Sequence, residues 1–181
     1  IFGSFTAAVE PLSLDEAFLD VSGAIRKFGS PTVIAELLRA RVFDEQGITC
    51  SVGGSPNKFV AKVASAHAKP DGMLLIPADS IVAFLHPLPV GALWGVGPRT
   101  EEQLHSLGVR TVADVAHLPR NVLRRALGQA AGEHLDGSQA LDVAIETFSG
   151  QDMETLSDLE VRTELKQELV ESGATFTSET D

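Results

Sequence analysis

Short apolar segments separated by turn signals make up the first part of the chain. Between residues 9 and 22, Val, Leu and Phe surround an Asp-Glu pair, which predicts two short antiparallel strands with the acidic pair at their connection. Ser30-Pro31 is a typical helix start. Apolar residues at helical spacing then predict a helix over Thr32–Glu45, which Gly47 ends.

The pattern from residue 48 to residue 85 continues as an alternation of strands and helices. Residues 48–53 predict a buried strand, and Pro56 opens a helix that ends near His67. Residues 73–76 predict another strand, and a short helix follows over Ala78–Leu85. This order predicts the α+β class, with an antiparallel sheet covered by helices on one face.

Two changes in composition divide the rest of the chain. Proline and glycine cluster between residues 87 and 92, which predicts a boundary between a first domain over residues 1–90 and a small all-helical domain over residues 91–136. Residues 137–181 form an acidic tail rich in Ser and Thr, where the only regular element indicated is a helix over Leu159–Glu171. We expect this tail to pack weakly on the rest of the chain.

The net charge of −11 argues at first against a nucleic-acid-binding protein, which usually has a basic surface. The charge is unevenly distributed, however. Residues 1–136 hold 14 acidic and 12 basic residues, whereas residues 137–181 hold 11 acidic and 2 basic residues. The acidic excess therefore belongs to the tail, and nucleic-acid binding by residues 1–136 is not excluded. No apolar run reaches the length of a membrane span, and a single cysteine excludes an internal disulfide.

Asp15 and Glu16 are the first candidates for chemistry. At a tight connection between strands both side chains can face one site, where two carboxylates repel each other unless a cation lies between them. Mg²⁺ prefers oxygen ligands of this kind together with substrate phosphates. A solvated acidic turn is the alternative interpretation. Asp20 is interpreted as a hydrogen-bonded structural acid.

A longer string of residues gives this acidic pair a context. Residues 13–21, Ser-Leu-Asp-Glu-Ala-Phe-Leu-Asp-Val, resemble the second metal-binding motif of Y-family (translesion) DNA polymerases, particularly the bacterial DNA polymerase IV branch. The resemblance continues in the same order through Cys50–Gly53, Pro56–Lys62, Ala68–Gly72 and Leu93–Gly97, and covers roughly residues 1–135.

The resemblance implies that residues 1–90 form an incomplete polymerase palm and that residues 91–136 form a helical thumb. It implies an enzyme that adds deoxynucleotides to a primer with two Mg²⁺ ions, for which Asp15 and Glu16 are the metal ligands and the catalytic residues. In the family, another metal-binding carboxylate and the fingers belong to segments that are absent here. We therefore expect a truncated chain that is inactive alone.

Several polar residues are candidates for nucleotide binding. Lys69 lies in a turn between a predicted helix and a predicted strand, where its ammonium group can act as a point charge on a triphosphate. The resemblance implies this role for Lys69, and we add Ser13 and Lys58 to the nucleotide-binding set. Lys58 and Lys62 are spaced i, i+4 on one helix face, which can face either substrate or solvent.

The turn Gly95-Val96-Gly97 is the candidate DNA contact, together with Arg99. A Gly-x-Gly turn that opens a helix lets backbone N–H groups approach a phosphate. With short helices on both sides this is a helix-hairpin-helix layout, which binds the DNA backbone without reading sequence. We further expect Gly97 to need a positive φ, so that a larger residue would strain the turn.

Alternatives remain open at this point. The chain is a polymerase of damage tolerance, a catalytically silent DNA-binding or scaffold member of the same family, or a helix-hairpin-helix binding module of another repair protein. A non-functional product of a disrupted gene is a further alternative. The expected partners are primer-template DNA and deoxynucleoside triphosphates, with a sliding clamp for the full-length protein and no membrane. The expected location is the bacterial cytoplasm, at the nucleoid.

Overall fold

The computed structural model describes residues 1–127 and 158–163. The strands in this part of the chain are β1 (Val9–Pro11), β2 (Glu16–Asp20), β3 (Cys50–Ser55), β4 (Met73–Leu75) and β5 (Asp158–Thr163). The α-helices are α1 (Ile25–Phe28), α2 (Pro31–Gln46), α3 (Lys58–His67), α4 (Ile81–Leu85), α5 (Pro98–Ser106), α6 (Val112–Ala116) and α7 (Arg120–Leu127). Short 3₁₀ helices lie at Phe2–Ser4, Ser22–Ala24, Ala78–Ser80 and Val90–Ala92.

The strands form one mixed sheet in the order β1-β2-β5-β3-β4. Strands β1 and β2 are antiparallel, with Val9 opposite Leu19, as the sequence predicts. Strand β5 runs antiparallel to both β2 and β3 and lies between them. Strands β3 and β4 are parallel, because helix α3 crosses over between them. The α+β class is confirmed, although the sheet is not wholly antiparallel.

Helices α2 and α3 cover opposite faces of this sheet. Because neighbouring strand residues point to opposite faces, alternate residues separate into two sets. Val52 of β3 belongs to the cluster of Ile34 and Leu38 in α2, whereas the face of Gly53 lies against the backbone of α3. The expectation of helices on one face only is therefore wrong. The 3.6-residue pattern shows that a helix has a buried side, but not which face of the sheet it covers.

Gly53 fixes the distance between β3 and α3. A Cβ atom at this position would lie 1.9 Å from the carbonyl oxygen of Ala61 and 2.3 Å from the backbone nitrogen of Ser65. These are backbone atoms, so no rotation of a side chain can make room. The glycine lets the helix lie directly on the strand, and Ala61 and Ser65 are themselves fully buried there.

A second apolar cluster joins α3 to the helices that follow. It includes Val60 and Val63 of α3, Leu85 of α4, Leu104 of α5 and Leu123 of α7. The cluster draws residues from both sides of position 90, so α3 contacts the sheet on one side and the helical segment on the other. The division into residues 1–90 and 91–136 remains a prediction.

Side-chain caps set the starts of three helices, and the start of α2 is the one that the sequence predicts. The Ser30 hydroxyl accepts from Val33 N, with Pro31 at the first position of α2, and Gly47 ends this helix at φ 69°. The Asn57 side chain accepts from Phe59 N and Val60 N at the start of α3. Thr111 caps α6 in a reciprocal capping box with Asp114.

Strand β5 overturns the predicted helix over Leu159–Glu171 in the part of it that the structure describes. Residues 158–163 form the central strand of the sheet rather than a loosely packed tail segment. The sequence Asp-Leu-Glu-Val-Arg-Thr alternates polar and apolar residues, which is a strand signal. Residues 164–171 lie outside the described residues. Within residues 1–127 and 158–163, no helix is long and apolar enough to cross a membrane.

Candidate functional site

Residues 12–15 form the connection between β1 and β2. Both Leu12 N and Ser13 N donate to the carbonyl oxygen of Glu16, which closes the turn. The Ser13 hydroxyl donates to Asp15 Oδ1 at 2.8 Å, and Leu14 is fully exposed at the tip. Ser13, a predicted nucleotide contact, therefore orients the Asp15 carboxylate.

Glu16 forms an ion pair with Lys62 of α3. Lys62 Nζ lies 2.9 Å from Glu16 Oε2, and the two side chains are only 16% and 10% exposed, respectively. The pair forms because residue 16 belongs to the α3 face of β2. In this partly buried place the attraction between the two charges is stronger than at an open surface.

Lys62 also links the sheet to the helical segment. Its ammonium nitrogen lies 5.4 Å from the ring centroid of Trp94, within the range of a cation–π contact. Trp94 directly precedes the Gly95-Val96-Gly97 turn. One side chain therefore connects the acidic strand β2 with the candidate DNA-binding turn.

The described residues fit a metal site only in part. Asp15 and Glu16 supply oxygen ligands of the type that Mg²⁺ prefers. However, within residues 1–127 and 158–163 there is no group of three or more His, Cys, Asp or Glu side chains that could hold a metal ion. Glu16 is in addition already paired with a cation. These residues alone do not make a complete metal centre.

The other predicted nucleotide contacts lie at different places around α3. Lys58 forms an ion pair with Glu10 of β1, and its Nζ lies 5.6 Å from the ring centroid of Phe18. These residues line an open pocket of about 360 Å³. Lys69 is exposed in the turn between α3 and β4. Asp20 accepts hydrogen bonds from the backbone and hydroxyl of Ser22, as expected for a hydrogen-bonded acid.

The hairpin turn differs from the prediction in one respect. Gly95 has φ 92°, a conformation that favours glycine. Gly97 has φ −83° and ψ 172°, and a Cβ atom there would meet nothing within 4 Å. The expectation of a positive φ at Gly97 is therefore wrong, and Gly95 is the constrained residue. Val96 N donates to Leu93 O within the turn, and Arg99 is exposed on the first turn of α5.

Asp114 stabilises the turn that leads into α6. Its Oδ2 accepts from the backbone N–H groups of Arg110 and Thr111, at 3.0 and 2.8 Å. The Arg110 N–H group first, and then the N–H and hydroxyl groups of Thr111, lower the pKa of this carboxyl group because they favour its ionised form. The cap is therefore strongest when Asp114 is charged.

Sequence reasoning missed the roles of Lys62, Trp94 and Gly53. Lys62 had one available signal, its i, i+4 spacing with Lys58 on one helix face. Gly53 lies within a strand, a position that often marks close approach of another backbone. Nothing local to Trp94 predicts its contact with a lysine 32 positions earlier.

Two family models match the chain. The impB/mucB/samB family matches residues 1–66, which include β1, β2, α2 and β3. The HHH motif of the IMS family matches residues 79–109, which include the Gly95 turn and α5. The acidic connection and the hairpin turn thus both lie within matched segments.

The curated relatives of this chain are named as DNA polymerases. The chain is 48% identical over 129 residues to "DNA polymerase IV" of Desulfatibacillum aliphaticivorans, covering 71% of this chain and 33% of the relative. It is 41% identical over 171 residues to "DNA polymerase IV" of Alkalilimnicola ehrlichii, covering 88% of this chain and 48% of the relative. Residues 1–136 make up only about three quarters of the chain. The second match therefore extends into the tail, beyond the expected limit at residue 135.

Solved structures share the fold. DinB from Sulfolobus solfataricus superimposes with a TM-score of 0.68 at 26% identity, over 84% of this chain and 43% of that chain. The insertion ternary complex of Dbh DNA polymerase gives a TM-score of 0.69 at 26% identity, over 79% of this chain and 41% of that chain.

The sheet, the acidic connection and the helix-hairpin-helix segment together define a polymerase palm followed by a thumb. The chain belongs to the Y-family DNA polymerases and is related to the DNA polymerase IV group. It spans between a third and a half of the length of these curated relatives.

Proposed function

We propose that this chain is part of a DNA-directed DNA polymerase of the translesion type, which adds deoxynucleotides to a primer. The observation that carries the proposal is the link made by Lys62. This lysine pairs with Glu16 of the acidic strand and lies over Trp94 at the start of the hairpin segment. The candidate chemical site and the candidate DNA contact therefore belong to one connected structure.

Asp15 and Glu16 are the proposed metal ligands and catalytic residues. When bound, two Mg²⁺ ions would activate the primer hydroxyl and stabilise the leaving pyrophosphate. Ser13 orients Asp15 through its hydroxyl, and Lys62 holds Glu16 in place. The described residues provide two carboxylates, so the working site needs at least one ligand from elsewhere in the protein.

The proposed nucleotide contacts are Lys69, Ser13 and Lys58. Lys69 is exposed on a turn, and a lysine there can reach a triphosphate as a flexible point charge. Lys58 would have to exchange its ion pair with Glu10 for a phosphate contact. Because exposed ion pairs contribute about 0 to 1 kcal/mol, this exchange costs little.

The proposed DNA contact is the turn Gly95-Val96-Gly97 with Arg99. The open surroundings of Gly97 and its place before the first turn of α5 favour a phosphate near the helix N-terminus. Val96 is a weaker contact, because its N–H group is used within the turn. Binding of this kind is independent of DNA sequence. The proposal extends to a sliding clamp as a partner of the complete protein and to the bacterial cytoplasm, at the nucleoid, as its location.

A second candidate is a catalytically silent DNA-binding member of the family. The ion pair between Glu16 and Lys62 favours it, because a carboxylate already satisfied by an ammonium group needs no metal. This candidate keeps the Gly95 turn as a DNA contact, but assigns no chemistry to Asp15 and Glu16.

A graft of this chain into a curated relative would distinguish the two candidate functions. Residues 1–127 would replace the matching stretch of the Alkalilimnicola ehrlichii relative, which aligns over 88% of this chain. If the chain is part of a polymerase, the graft should extend a primer-template duplex, and Asp15→Asn should abolish this extension. A folded graft that binds the duplex but extends no primer would instead support the silent DNA-binding protein.

A further inference from the structure

Lys62, in the middle of α3, lies between two partners of different kinds. Its ammonium nitrogen is 2.9 Å from Glu16 Oε2 and 5.4 Å from the centroid of the Trp94 ring. The first partner is a charged carboxylate and the second is the face of an aromatic ring, which attracts cations more weakly. Because the ammonium group is carried on a flexible four-carbon side chain, it can move closer to either partner.

Glu16 has two roles that compete with each other. It is the proposed ligand of a divalent cation, and it is also the carboxylate that Lys62 contacts. A divalent cation and an ammonium group on one carboxylate repel each other, and the repulsion is strong here because both side chains are largely shielded from water. Lys62 therefore has to weaken its contact with Glu16 when a divalent cation binds there, an argument that rests on the metal site of the proposed function.

Trp94 offers the displaced ammonium group a second position. Tryptophan binds cations on its ring face more strongly than the other aromatic residues do. Trp94 is 43% exposed, so its ring is not fixed by packing on all sides. It directly precedes Gly95, whose φ of 92° belongs to the hairpin turn. A change in the contact between Lys62 and Trp94 therefore acts next to the candidate DNA contact.

We propose that Lys62 is a positioning residue that exchanges partners. Without a divalent cation, it holds the Glu16 carboxylate and compensates its charge. When a divalent cation binds Glu16, the ammonium group moves closer to the Trp94 ring. Lys62 thereby couples occupancy of the metal site to the segment that begins the hairpin turn. The ion pair between Glu16 and Lys62 is then the metal-free state of a working site.

Fluorescence of the full-length chain tests this exchange, because Trp94 is its single tryptophan. Without metal, Glu16→Gln should shift the Trp94 emission, since Lys62 loses the carboxylate charge. Mg²⁺ should shift the emission of the parent chain in the same direction, and Lys62→Met should show no response to Mg²⁺. Lys62→Arg, which keeps the charge and can stack on the ring, should restore the response. An emission of the parent chain that Mg²⁺ leaves unchanged would overturn the exchange.

Binding of Mn²⁺, measured from the electron paramagnetic resonance signal of the free ion, separates this proposal from the proposed function. Lys62→Met removes the competing cation and should tighten Mn²⁺ binding about tenfold, which corresponds to about 1.4 kcal/mol. Lys27→Met is the matched control, because Lys27 also lies over an aromatic ring, 4.5 Å from the centroid of Phe28, and should leave the affinity unchanged.

The outcomes of the Mn²⁺ measurement have different consequences. Equal affinities of the parent chain and Lys62→Met would overturn the exchange while supporting the metal site. An equal gain in affinity by Lys27→Met would also overturn the exchange, because it would show only an effect of total charge. No binding of Mn²⁺ by the parent chain or by Lys62→Met would refute the metal site itself, and the exchange with it.

Discussion

Replacing Gly53 with alanine should push α3 away from the sheet. The new Cβ atom would lie 1.9 Å from the carbonyl oxygen of Ala61, whereas ordinary contact begins near 3.4 Å, so the helix has to move by about 1.5 Å. Backbone overpacking of this kind costs about 1 to 3 kcal/mol. We expect the upper end of this range, because the blocking atoms belong to the helix backbone and cannot rotate away.

The assay is thermal and urea unfolding followed by circular dichroism. For a chain of 181 residues, a loss of about 3 kcal/mol lowers the midpoint temperature by about 6 to 12 °C. Trp94, the single tryptophan, reports on the position of α3 through its contact with Lys62, so its fluorescence should change in the folded variant. Gly23→Ala is the matched control, since a Cβ atom there meets nothing within 4 Å. Equal stability of Gly53→Ala and Gly23→Ala would refute the packing argument.

Three further predictions concern single side chains. Lys62→Met should destabilise the chain by about 1 to 3 kcal/mol in urea unfolding, because it leaves Glu16 partly buried without its cation. Adding Glu16→Gln to this variant should recover most of the lost stability. Purely additive losses in the double variant would contradict the ion pair between the two residues. Gly95→Ala should lower the free energy of unfolding by about 1 kcal/mol and weaken binding to labelled duplex DNA, because Gly95 has a positive φ. Gly97→Ala should be as stable as the parent chain, because a Cβ atom there meets nothing within 4 Å. A larger loss of stability in Gly97→Ala than in Gly95→Ala would show that the turn is misassigned. Because the pKa of Asp114 is lowered in the folded chain, its capping contribution is complete above the ordinary carboxyl pKa of about 4 and is lost as pH falls through the lower folded pKa. Asp114→Asn should therefore reduce the loss of stability on the acid side of a curve of stability against pH. An unchanged acid side in this variant would refute the capping role of Asp114.

Local signals in the sequence predict the elements well. Ser30-Pro31 and Gly47 bound α2, and Thr111 starts α6, because caps act through backbone groups a few residues away. The Val, Leu and Phe residues around the acidic pair in residues 9–22 correctly predict the antiparallel pair of β1 and β2.

Long-range contacts are harder to predict from one sequence. The pairing of Glu16 with Lys62 depends on which face of the sheet α3 covers, and that is decided by the close contact at Gly53. The place of β5 depends on pairing across more than a hundred residues. Its own alternation is visible in the sequence, but the composition of residues 137–181 indicates an acidic tail and gives no partner strand for it.

The central claim is that Asp15 and Glu16 serve nucleotide transfer. It is tested most directly by single-turnover incorporation of one deoxynucleotide into a primer-template duplex by the graft, over a series of Mg²⁺ concentrations. We predict Mg²⁺-dependent incorporation that falls at least a hundredfold with Glu16→Gln, because the change removes a charge from the reacting centre, at unchanged duplex affinity. Glu36→Gln, which changes an exposed glutamate on α2 outside the proposed site, should keep the parent rate within a few fold. Incorporation at near the parent rate by Glu16→Gln would contradict the account.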